Sequence, residues 1–95
     1  MENVVKVAGN DTVNITKLAT VITLKMRNNY AKFKDSAEVI VSAMGAQAVN
    51  NAVKAIIYAN NFLSLDGINI MCIPTQTINE TDGHTATIFL VRIRH

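Results

Sequence analysis

The sequence predicts an α/β chain of the α+β two-layer type, with a four-stranded mixed sheet carrying two helices on one face. Three observations predict it. Short β-branched runs alternate with helical periodicity over the first two thirds of the chain, in the order strand, helix, strand, helix. Two more apolar runs follow, separated by the turn-rich residues 77–83. Strand–helix–strand units are right-handed, which sets both helices on the same side of the sheet.

Residues 4–8 read as the first strand, with Val5 and Val7 on one side and Lys6 on the other. Gly9, Asn10, Asp11 and Thr12 have loop chemistry, and Thr12 or Asn14 can cap the helix that follows. Helical spacing runs through Ile15, Leu18, Ile22 and Met26 and ends at Asn28 and Asn29. Threonine and valine are frequent there, so this helix depends on packing. Residues 30–36 read as a connection in which Tyr30 and Phe33 interleave with Lys32 and Lys34. The pattern permits base stacking beside neutralised phosphates, or aromatics tucked against the core edge with solvated lysines. The second strand covers 38–44, with Val39, Val41 and Ala43 on one face.

The helix over residues 45–62 organises the rest. Val49, Ala52, Val53, Ile56 and Ile57 mark its apolar face, and Gln47, Asn50, Asn51, Lys54 and Asn61 the other. Gly45 joins strand to helix. It makes a tight turn there, or seats an anion with Ala46 at the unpaired amides of the helix start. Leu65, Asp66 and Gly67 form a turn, and residues 68–75 the third strand. Pro74 cannot donate to a ladder, so it belongs near that strand's end or at an edge. Asp82 and Gly83 suit a hairpin tip with positive φ before a last strand over 84–94.

At 95 residues with 49% hydrophobic content, the chain makes one domain with one core. No apolar run approaches the roughly 20 residues that span a bilayer, and the acidic start leads directly into Val4 without a signal-peptide pattern. A single cysteine excludes an internal disulfide. Cys72, between Met71 and Ile73, reads as a buried thiol, and a cytoplasmic location is expected. The net charge of +2 allows nucleic-acid contact without demanding it.

No enzyme signature is present. Cys72 has no base partner for nucleophilic catalysis, and His84 and His95 lack metal-ligand spacing. The sequence around Gly45 lacks the lysine and glycine spacing of a phosphate-binding NTPase loop. No cofactor or metal is expected. Arg92 and Arg94 on the last strand contact phosphate or simply solubilise an edge.

Both faces of the C-terminal strand pair are apolar. Ile68, Ile70 and Cys72 oppose Met71 and Ile73, while Phe89, Val91 and Ile93 oppose Ile88 and Leu90. Two helices cover only one face, so a second copy is expected on the other. The expected homodimer interface holds Ile70, Cys72, Ile88 and Leu90.

The run from Gly45 to Ala55, GAQAVNNAVKA, resembles the signature of the stage V sporulation protein S family, part of the wider Alba-like group of nucleic-acid-binding proteins. The resemblance continues through Cys72-Ile73-Pro74 and Asp82-Gly83 to the final strand and covers residues 4–94. It implies an Alba-like fold with the fourth strand antiparallel to its neighbours. It also implies dimerisation through the second helix and last strands, and a role in sporulation or developmental gene control. In the Alba-like group the first loop, the start of the second helix and the terminal hairpin bind nucleic acid. Carried onto this chain, these regions hold Asn10, Asn14 and Lys17; Gln47, Asn50 and Lys54; and Asn79, His84 and Arg92. The chain departs from chromatin-type members: its first loop lacks lysines and its hairpin carries Glu80 and Asp82. The connection around Tyr30 and Phe33 is also longer than is typical for the sporulation family. Carboxylates repel phosphate, so the resemblance implies weak or selective binding, RNA included, rather than duplex coating. The competing reading is a protein-interaction adaptor that keeps the fold without nucleic-acid binding.

Overall fold

Alternation within the strands decides which side of the sheet is covered. The computed structural model describes residues 4–10, 12–78, 83 and 85–94. Its elements are β1 (Val4–Val7), α1 (Ile15–Phe33), a single 3-10 turn (Lys34–Ser36), β2 (Glu38–Ala43), α2 (Ala46–Ser64), β3 (Ile70–Ile78) and β4 (Thr85–Ile93). The strands lie in the order β1-β2-β4-β3. The β1–β2 pair is parallel and the other two pairs are antiparallel, giving the expected mixed sheet.

The register lines up one apolar row per face. Val5, Val41, Phe89 and Pro74 are cross-strand neighbours on the covered face. Val4, Ile40, Leu90 and Ile73 form the corresponding row on the open face. On the covered side Val39, Val41 and Val91 are fully buried and join Ala19, Ile22 and Met26 of α1 and Ala52, Ala55 and Leu63 of α2 in one core. The open-face residues Ile40, Ile88 and Leu90 stay partly exposed.

Both helices differ from the sequence expectation, each for a physical reason. α1 continues through Asn28 and Asn29 to Phe33. Asn29 Nδ2 donates to the Glu38 carbonyl at 2.9 Å, so this residue ties the helix to β2 instead of stopping it. The helix ends at Lys34, whose φ is +52° and whose N–H donates to the Tyr30 carbonyl. Tyr30 packs against the core and the Lys34 ammonium sits 5.5 Å from its ring centroid, while Phe33 points to solvent. The supposed connection is therefore the last turn of α1 and its cap.

In α2 the buried stripe is rotated from the expected one. Ala48, Ala52, Ala55, Ala59 and Leu63 face inward, and Val53 and Ile57 face outward, Ile57 with 52% of its surface exposed. Alanines let the helix lie close to its neighbours, and this outweighs the larger transfer energy of the branched residues. The same rotation buries Asn51, which the periodicity had placed on the polar face.

The third strand runs later than expected, over Ile70–Ile78, and includes Pro74 without interruption because β3 is the sheet's edge. For the same reason Cys72 is exposed rather than buried. The Leu65–Gly67 turn forms as expected, with Gly67 at φ +75°. Gly83 has the positive φ expected of the hairpin, while Asp82 lies outside the described residues.

Candidate nucleic-acid interface

The described residues of the first loop have no regular structure of their own, and side chains hold them in place. Asn10 Oδ1 accepts from the Thr12 backbone N–H at 3.2 Å and from its hydroxyl at 2.8 Å, an Asx turn that folds the loop back on itself. Asn14 caps α1, its Oδ1 accepting from the Lys17 N–H at 3.0 Å. Of the two capping candidates, Asn14 takes the role and Thr12 bonds to Asn10. Lys17 stands exposed in the first turn of α1.

The buried side chain of Asn51 fastens this loop to α2. Its amide nitrogen donates to the carbonyls of Ala8 at 3.0 Å and Asn10 at 3.3 Å. Its oxygen accepts from Gln47 Nε2, one turn earlier, at 3.1 Å. Asn51 is only 5% exposed, so leaving those groups unpaired would be costly. Gly9 lies against Ala48, where an added Cβ would sit 3.4 Å from the Ala48 nitrogen. Loop and helix thus form one continuous surface.

On that surface Gln47, Asn50 and Lys54 follow at three- and four-residue steps along α2, all exposed. Tyr58, one turn beyond Lys54, is exposed as well. Its position on the amide-bearing side of α2 makes it a further contact candidate that the sequence reading left out. Gly45 precedes the helix at φ +91°, and no side chain caps the helix there. The first turn of α2 carries no acidic residue to compete for an anion at Gly45 and Ala46.

Through Asn51 the structure links Gln47 to the backbone of Asn10, while Asn14 caps α1 at the far end of the loop and Lys17 and Lys54 stand exposed in α1 and α2. Arg92 stands apart. It is at the opposite end of the sheet, paired across strands with Glu38, whose carboxylate accepts from Arg92 Nε at 2.6 Å. Asn79 and His84 lie outside the described residues.

The four residues expected at a dimer interface fall on two faces. Ile88 and Leu90 lie on the open face. Ile70 is buried in the core on the covered face, and Cys72 shares that face beside Ile57 of α2. Burial of part of its surface pushes the Cys72 thiol above its usual pKa, although the residue remains exposed in the single chain. An apolar strip therefore wraps the β3 edge, from Val53 and Ile57 through Cys72 to Met71 and Ile73.

Among the described residues, no group of three His, Cys, Asp or Glu side chains could hold a metal ion, and no helix is long and apolar enough to cross a membrane. The family model described as Stage V sporulation protein S (SpoVS) matches residues 3–95.

Proposed function

The chain belongs to the stage V sporulation protein S family, and from that premise we propose that it is a dimeric, cytoplasmic regulatory protein that binds nucleic acid and is not an enzyme. Membership makes it a small sporulation-related protein. The observation that carries the nucleic-acid reading is the Asn51 anchor, which fixes the first loop against the start of α2. It ties the Asn10 backbone to Gln47, on a loop and helix whose exposed side chains include Lys17 and Lys54. Lys17 and Lys54 neutralise phosphate, Gln47 and Asn50 offer hydrogen bonds, and Tyr58 offers a stacking face. Two lysines make a modest electrostatic footprint, which favours single strands over non-specific duplex coating. In the dimer, the strip along Val53, Ile57 and the β3 edge meets its copy and doubles the surface.

Fluorescence anisotropy with single-stranded RNA, single-stranded DNA and duplex DNA across a salt series tests this reading. The expected result is binding that weakens as salt rises, strongest for a single strand. Flat traces for all three at low salt would overturn it.

A second reading, the protein-interaction adaptor, is favoured by one feature of the helical layer. Leu65 is 85% exposed beside Leu24 and Phe62, in a groove that Arg27 and Asp66 border with an ion pair. A partner bound through such an apolar groove would be insensitive to salt, which separates the two readings.

A further inference from the structure

We propose that Pro74 closes the β3 edge of the sheet to strand pairing, this chain's own copies included. The sheet has two edges, and they are guarded differently. β1 is four residues long and carries Lys6, a short strand with a charge. β3 is nine residues long, its residues 71–78 are exposed, and no residue from Ile70 to Ile78 is charged. Its register on β4 is unbroken, from Ile70 opposite Ile93 to Ile78 opposite Thr85, so no bulge bends it away. A long, regular, uncharged edge is a template for a further strand.

The ladder fixes which backbone groups that template would use. The Arg94 N–H donates to the Asn69 carbonyl at 2.8 Å, which makes these two a hydrogen-bonded pair one step beyond the register. Hydrogen-bonded and non-hydrogen-bonded pairs alternate in an antiparallel ladder. Met71, Ile73, Thr75 and Thr77 therefore turn their N–H and carbonyl groups toward β4. Ile70, Cys72, Pro74, Gln76 and Ile78 turn their backbone groups to the free edge. Pro74 thus costs β3 no bond to β4, and what it lacks is the central donor of the outward row. Its ring fills the place of that hydrogen and stands toward any incoming strand. A strand that spans the edge loses a bond at its middle. A second copy brings its own proline, so every two-fold antiparallel register that covers both prolines loses two.

The test replaces the proline and then restores a block two residues on. Pro74→Thr regains the outward N–H. It should sediment as assemblies larger than any wild-type species at equal concentration, with a cooperative melt retained. Adding Gln76→Pro, at the next outward position, should return the sedimentation profile to that of wild type. Alone, Gln76→Pro should melt above Thr75→Pro, which removes a bond to β4. Each reading is a difference from wild type, so the result depends neither on nucleic-acid binding nor on the proposed dimer. A Pro74→Thr protein that sediments as wild type would overturn the proposal. So would assemblies that persist with Gln76→Pro, or a Thr75→Pro variant that melts above Gln76→Pro. Loss of the cooperative melt in Pro74→Thr would also overturn it, by making the ring a requirement of the fold.

Discussion

The Asn51 amide nitrogen lies 3.0 Å from the carbonyl oxygen of Ala8, joining the second helix to the end of the first strand across 43 residues of sequence. A buried amide with three partners is a fixed part of the fold. Asn51→Ala would leave two loop carbonyls short of a donor and release Gln47. It should lower stability by about 1–3 kcal/mol, read as a fall in the urea midpoint at unchanged m-value. An unaltered midpoint would mean that water replaces the amide without loss.

The alanine seam of α2 gives a second prediction. Ala55 is fully buried, so Ala55→Leu should cost about 1–3 kcal/mol through overpacking. Thermal melting of the variant against Val53→Leu, on the exposed side, separates the two faces; the latter should melt close to wild type.

Phosphate binding rests on two side chains in the reading given above. Lys17→Glu combined with Lys54→Glu should abolish salt-dependent binding by anisotropy while sedimentation still reports the dimer. Undiminished binding by a folded double variant would remove both lysines from the interface.

The proposed dimer meets through the strip along α2 and β3. Ile57→Asp places a charge at its centre and should shift sedimentation to the monomer without changing the far-UV circular dichroism. Leu24→Asp, on the helical layer, should leave the dimer intact.

The Cys72 thiol has a raised pKa because part of it is buried. The folded state therefore holds the proton more tightly than the unfolded chain. The resulting stabilisation is present below the ordinary thiol value of 9.0 and is lost as pH rises through the folded value. Wild type should lose stability relative to Cys72→Ala as pH is raised through that range. Alkylation by iodoacetamide should also be slower in the folded protein than in urea.

The strands were legible because their alternation survives in the sheet: Val39, Val41 and Ala43 are buried as their spacing requires. Helix α2 was legible as a helix but not in its rotation. Hydrophobicity weights Val53 and Ile57 above Ala52 and Ala55, whereas the fold prefers the residues that allow close approach. Asn51 was misplaced by the same rule, since a polar residue on a surface helix is ordinarily solvated. Its position between Ala48 and Ala55 on the inward side was the available signal. Asn29 misled in the opposite direction. An Asn pair is a fair stop signal, but a tertiary bond to Glu38 overrode it. Loop closure by Asn51 joins distant segments, and nothing in local spacing encodes such a pairing.

The last strand in the chain is not at the margin of the sheet. β4 lies between β2 and β3, pairing with each along its length. A nascent chain that has not yet produced residues 85–93 therefore has two separate pieces, the β1–β2 ribbon and an isolated β3, with no strand to join them. Folding must wait for that insertion, and the contacts that reward it are distant in sequence. A frameshift or premature stop before Thr85 would not yield a shortened version of this domain. It would yield a chain with two unpaired strand edges, a substrate for chaperones and proteases.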